Sequence, residues 1–102
     1  MRPLSVLIVH GTGGFPERNW FPWLKSELHK RNVNAIVPQF PTTDGQSLNS
    51  WRETFKKEVG SVTSDLVLIG HSIGAAFVLN LLNQAEEFPR LLKDLDQFVL
   101  KI

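Results

Sequence analysis

A turn of five residues, Gly70-His71-Ser72-Ile73-Gly74, constrains this chain more than any other feature, because it joins two apolar segments of different kind. Before it, Leu66 to Ile69 in "DLVLIGH" is an unbroken apolar run, which suits a strand buried on both faces. After it, "AAFVLNLLN" is apolar almost all round, which predicts a central buried helix. Passing from such a strand into such a helix through G-x-S-x-G needs a sharp corner. The serine then stands at the apex in a strained backbone conformation with its hydroxyl exposed. Gly70 and Gly74 remove Cβ atoms that would clash in so tight a turn. The helix that follows points its N-terminus at an oxygen that becomes negative when a hydroxyl attacks a carbonyl. Ser72 is thus a candidate nucleophile, against the plainer alternative of a serine in an ordinary strand–helix turn.

The rest of the chain repeats the alternation of short apolar runs with longer helix-like stretches. Ser5 to His10, "SVLIVH", reads as a first buried strand, ended by the glycines and proline of "GTGGFP". Asn19 is placed to cap a helix over about Trp20 to Arg31, with Trp20, Leu24 and Leu28 on its apolar side. Ala35 to Val37 reads as a second strand, and "QFPTTDGQS" as a loop at the sheet's edge. The next helix begins near Ser47 or Ser50, where Ser50 with Glu53 fits a capping box, and it stops at Gly60. From Pro89 onward, Leu91, Leu92, Leu95, Phe98, Val99 and Ile102 share one stripe. "QFVLKI" alone could finish as a strand, but the longer period favours a terminal amphipathic helix. The order β-α-β-α-β-α-α with helical crossovers requires a parallel sheet with right-handed connections. The expected fold class is α/β, three layers, with a short three-stranded sheet flanked by helices. The chain reads as one domain over residues 1–102, with the turn in 1–83 and the terminal helix in 84–102.

A second signal is His10-Gly11-Thr12-Gly13-Gly14, directly after the first strand. Loops at the carboxyl ends of neighbouring strands converge on one crevice in a doubly wound sheet, so this loop is expected beside Ser72. Its glycines let backbone N–H groups approach a substrate oxygen closely. A dinucleotide fingerprint would need glycine where Pro16 stands, and a P-loop would need Gly-Lys-Ser/Thr where "FPE" stands. Both fail.

Taken together, "VLIVHGTGGFPERNWFPWLKSEL", "VPQFP" and "LVLIGHSIGAAFVLNLL" resemble the nucleophile-bearing half of an α/β-hydrolase. Within that superfamily the chain is most similar to the small serine hydrolases of the retinoblastoma-binding protein nine type, over about Leu4 to Leu82. The resemblance implies strand order 2-1-3, Ser72 as nucleophile, and the backbone N–H groups of Ile73 and Thr12 as oxyanion donors. It also implies a carboxylesterase-like hydrolysis of small acyl esters, occasionally amides, with no metal or organic cofactor.

The departure from that pattern is equally definite. The superfamily's order is serine, then an acid, then histidine. After Ser72 this chain offers Asp94 and Asp96 but no histidine. His29 falls on the polar side of a helix. His71 adjoins the nucleophile in sequence, yet it projects elsewhere and suits a packing or hydrogen-bonding role. His10 ends the neighbouring strand and could approach Ser72 as an improvised general base. The tail "EFPRLLKDLDQFVLKI" resembles the family's C-terminal helix, with Asp94 and Asp96 on its solvated face. The chain therefore reads as a truncated hydrolase fold from which later strands, with acid and base, are missing. Two alternatives to a working hydrolase follow: a catalytically inactive binding or interaction module, and a site completed by a second chain.

Further expectations concern the surroundings of the site. With later strands missing, Leu66 to Ile69 would be an open edge, an apolar template for self-association, which could also use the face of the buried helix. Trp20, Trp23 and Trp51 with Phe15, Phe21 and Phe40 are either core residues or the lining of an acyl pocket, and Phe15 and Phe40, in loops near the crevice, are the better pocket candidates. Eleven basic against ten acidic residues leave a charge of +1, and the basic pairs are short, so nucleic-acid binding is not expected. The chain lacks cysteine and any histidine–carboxylate spacing suited to a metal. No apolar run approaches the about 20 residues needed to cross a bilayer, and no signal-peptide pattern opens the chain, so a cytoplasmic location is the default.

Overall fold

Alternation of side chains along the central strands decides which helix packs on which face of the sheet. A computed structural model of the chain describes residues 4–84 and 98–101. In it β1 (Ser5–Val9) runs through the middle of the sheet, pairing in parallel with β2 (Asn34–Ile36) on one side and β3 (Leu66–His71) on the other. Leu7, Val9, Leu66 and Leu68 face one way and join a core with residues of α2 (Leu48–Glu58) and α3 (Ile73–Gln84). Val6, Ile8, Val67 and Ile69 face the other way and meet Phe21, Leu24 and Leu28 of α1 (Phe21–Lys30). The result is the expected three layers, with the order 2-1-3 of the first three strands.

A fourth strand, β4 (Phe98–Lys101), extends the sheet beyond β3 in parallel, with Leu68 opposite Phe98 and His71 opposite Lys101. Two expectations are corrected by it. The terminal helix does not run through residues 98–101, where the β-rich run "FVLK" pairs with the unpaired outer edge of β3. The edge expected to lie open at Leu66–Ile69 is paired within the chain at Leu68 and Ile69. The stretch from Pro89 to Gln97, with Asp94 and Asp96, lies outside the described residues.

Helix boundaries follow local chemistry more finely than the periodicity allowed. Trp20, not Asn19, occupies the N-cap of α1, with no side-chain cap bond. Pro22 lies in the first turn, where its missing N–H costs nothing, and Asn19 takes a left-handed φ of 55° before it. In α2 the capping box is one turn earlier than Ser50 with Glu53. Ser47 Oγ accepts from the Ser50 N–H at 3.0 Å, and Ser50 Oγ accepts from the Ser47 N–H at 3.0 Å. Gly60, at φ +103°, ends this helix as expected, its N–H donating to Phe55 O. The helix α3 is not buried all round. Gly74, Ala75, Phe77, Val78, Leu81 and Leu82 are buried, but Ile73 is 47% and Leu79 52% exposed, since nothing among the described residues covers that side.

Candidate active site

The chain leaves β3 at His71 and enters α3 at Ile73, so Ser72 alone makes the corner. Its φ is 59°, a left-handed value that L side chains adopt only when the surroundings over-determine it. Those surroundings are backbone. A Cβ on Gly70 would lie 2.5 Å from both the Cα and N of Ala75, and one on Gly74 would press on the Val9 carbonyl oxygen and lie 2.7 Å from that of His10. Both glycines are therefore fixed by close approach of main chain to main chain. The Ala75 N–H donates to Ser72 O at 3.0 Å and closes the first turn of α3. Ser72 itself is exposed.

The loop after β1 comes to the same place. A Cβ built on Gly11 would lie 3.0 Å from Ser72 Cβ and 3.4 Å from its Oγ, so the loop packs against the serine at Gly11. Gly14 folds back, its N–H donating to Gly11 O at 3.0 Å, while Gly13 takes φ +75° at the open tip. Thr12 is exposed between them, and its Oγ1 accepts from the Gln46 side-chain amide at 2.9 Å. Ile73 is the first residue of α3, so its N–H belongs to the group that an α-helix leaves without an intrahelical partner. Gly11 thus lies beside Ser72, with Thr12 next to it in the chain and Ile73 directly after the serine.

His10 holds this loop rather than serving the serine. It is fully buried. The Phe40 N–H donates to Nε2 at 2.9 Å, and a backbone amide can only donate, so Nε2 is unprotonated. The ring proton is then on Nδ1, which donates to Gly11 O at 2.7 Å. Both nitrogens are engaged, and an improvised base at His10 is excluded by that geometry. Gln39 adds to the tie, its amide donating to Gly14 O at 3.1 Å and Phe40 O at 3.0 Å. Burial pushes the His10 imidazole below its ordinary value of 6.5, against the smaller raising effect of its bond to the Gly11 carbonyl.

That depression has a sign for stability. The unfolded chain binds the His10 proton more readily than the folded one, so this contribution is complete above about pH 6.5 and is lost as the pH falls through the folded value. The thermal midpoint is expected to drop as the pH is lowered below about 6.5, and less so in His10→Asn. A midpoint that rises on acidification over that range would contradict the assignment.

The remaining histidines stand apart. His71 points away from the serine into rings of α1 and its lead-in, edge-on to Trp20 at 5.9 Å and to Phe21 at 5.8 Å between centroids. It is the packing residue expected. His29 is exposed on α1. Among the described residues no group of three His, Asp or Glu side chains is placed to hold a metal, and no helix is long and apolar enough to cross a membrane.

The pocket expectation is corrected. Phe40 has no exposed surface and packs with Trp51 at 4.8 Å and Phe77 at 5.4 Å, beneath the loop rather than beside a ligand. Phe15 is 41% exposed, with the Arg18 guanidinium 5.7 Å above its ring. An open cleft lies elsewhere, reaching the residue after Ser72. A cleft of about 340 Å³ runs between the first turns of α2 and α3, lined by Leu48, Trp51, Ile73, Ala76, Phe77 and Asn80, with Gln46 and Ser47 at one end. Apart from Trp51, sequence reading missed these residues because "QFPTTDGQS" shows only turn chemistry, and helical periodicity does not tell which side of an apolar helix lies open. The small Ala76 between Ile73 and Asn80 was the available signal.

Comparison with known proteins agrees with this geometry. The family model described as serine hydrolase matches residues 6–92. The chain is 30% identical over 82 residues to the Bacillus subtilis (strain 168) protein named "Putative hydrolase YdeN", an alignment covering 80% of this chain and 43% of that protein. The crystal structure of the ydeN gene product from B. subtilis superposes with a TM-score of 0.73 at 28% identity, covering 81% of this chain and 45% of that one. The chain thus spans less than half the length of the relatives it matches.

Proposed function

This chain belongs to the serine hydrolase family, and from that premise we propose that it carries the nucleophile and oxyanion donors of an acyl-ester hydrolase. The observation that supports this most is the exposed Ser72 at φ 59° on a strand–helix corner, with Gly11 of the preceding loop packed against it. Ser72 Oγ would attack the ester carbonyl carbon, and the backbone N–H groups of Thr12 and Ile73 would take the negative charge on the carbonyl oxygen. The C–O bond to the alcohol then breaks, and the alcohol leaves with the serine proton. Water cleaves the acyl-serine to the acid and restores the hydroxyl.

Proton transfer is where this chain departs from a complete hydrolase. Its three histidines are His10, His29 and His71. The first has both ring nitrogens bonded, the second is exposed on α1, and the third packs against Trp20 and Phe21. The base is therefore read as coming from outside this chain's own histidines, either solvent or a further polypeptide segment. The same observation favours a second reading, a non-catalytic binding module that keeps the corner and lacks the base.

Treatment with 4-nitrophenyl acetate separates the two. The hydrolase reading expects slow release of nitrophenolate with one acetyl group held on Ser72, and no acetyl at that position in Ser72→Ala. Protein that stays unacetylated at Ser72 over days of exposure would support the binding module.

A further inference from the structure

The cleft between α2 and α3 is joined to the corner by two residues. Ile73 lines it with its side chain and, as the residue after Ser72, places its N–H at the corner. Gln46 lines it and also holds Thr12 through the 2.9 Å bond to Oγ1. The cleft thus adjoins the corner through the residue after Ser72 and through the residue bonded to Thr12. Its walls are hydrocarbon. Leu48 is 46% and Ile73 47% exposed, and the rims of Trp51 and Phe77 lie between them. Solvent-exposed apolar side chains that converge on a concave wall, with few polar groups at the ends, are the usual composition of a site for an apolar ligand.

The far end is polar and fixed. Asn80 Oδ1 accepts from Arg52 Nη2 at 2.8 Å and Nε at 3.1 Å, which ties α3 to α2 across the end of the cleft. From Ile73 to Asn80 the helix advances about 10 Å at its rise of about 1.5 Å per residue. An extended chain gains about 1.2 Å per bond, so this length matches about eight bonds.

We propose that the α2–α3 cleft is the acyl-chain site, and that it selects straight aliphatic acyl groups up to about eight carbons long. The inference rests on the reading of Ser72 as nucleophile and adds the substrate class to it. The acyl chain lies along Ile73, Ala76 and Leu48 and stops at Asn80. The alcohol portion of the ester leaves on the other side of the corner.

The test compares 4-nitrophenyl esters from acetyl to dodecanoyl as acylating agents for Ser72. Half-burial in an open cleft corresponds to about a twofold gain in rate per methylene, or about 60-fold from acetyl to octanoyl, with no further gain beyond. Ala76→Trp fills the cleft from an exposed position and is expected to lower the octanoyl-to-acetyl ratio at least tenfold. A ratio near one in the parent chain, or a ratio unaffected by Ala76→Trp, overturns the proposal. So does a length dependence found in acetate esters of longer alcohols instead.

Binding of octanamide, followed by the amide resonances of Ile73, Ala76 and Asn80, judges the cleft without any reaction. Shifts at these three positions that disappear in Ala76→Trp support the site even if no ester acylates Ser72, in which case only the nucleophile reading fails. Octanamide that leaves these resonances unmoved while esters do acylate Ser72 overturns the acyl site and leaves the nucleophile reading standing.

Discussion

Gly74→Ala is expected to destabilise the chain by about 3 kcal/mol or more, a large share of the stability of a domain of this size. The added methyl would press on the carbonyl oxygen of Val9 and lie 2.7 Å from that of His10. Neither atom belongs to a flexible side chain. Val9 ends the central strand, which carries the ladder to β3 through its pairing with Gly70, so relief at Gly74 must displace either β1 or the start of α3. Gly13→Ala is the matched control. Its new methyl meets nothing within 4 Å, so only the left-handed φ of +75° is penalised, about 1–2 kcal/mol. Urea unfolding at neutral pH is expected to show a much lower midpoint, or no folded baseline, for Gly74→Ala and a modest fall for Gly13→Ala. Equal midpoints for the two would mean that α3 does not press on β1 as described.

The second large effect concerns the missing base. Hydroxyl attack assisted by an imidazole levels off once that imidazole is deprotonated, near its ordinary pKa of about 6.5. With His10 bonded at both nitrogens and His71 turned into the aromatic rings, Ser72 has no such partner in this chain. Its reaction with a fluorophosphonate, in which an O–P bond forms and fluoride leaves, is then carried by the alkoxide fraction. The rate is expected to rise about tenfold per pH unit from about pH 7 to 9 with no plateau. It should also be slower by about four to six orders of magnitude than in an enzyme with a complete triad. A plateau near neutral pH would reveal a base among the groups of this chain. A plateau only after addition of a second polypeptide would place the base there.

Much of this architecture was legible in the order of residues. Unbroken apolar runs at Ser5–Val9 and Leu66–Ile69 could be satisfied only by a sheet covered on both faces, and glycine at 70 and 74 had a steric reason that the coordinates bear out. The corner at Ser72 and its proximity to residues 11–14 followed from those constraints. What periodicity did not resolve was the end of the chain. "FVLK" carries an apolar stripe that serves a helix or a strand, and the vacant side of β3 decided for the strand at Phe98–Lys101. The role of His10 was equally hidden, because its partner Phe40 is distant in sequence and donates through the backbone, which no side-chain pattern advertises. Phe40 was misplaced for a related reason. Aromatic character does not distinguish a ring that floors the core from one that lines open space.

The central claim, that the hydroxyl at residue 72 is the reactive group of this fold, is tested most directly by fluorophosphonate treatment at about pH 9 followed by peptide mass mapping. The expected result is one phosphonyl group per chain, carried on Ser72 and absent in Ser72→Ala. A label spread over other hydroxyls, or one that persists at equal yield in Ser72→Ala, would contradict it.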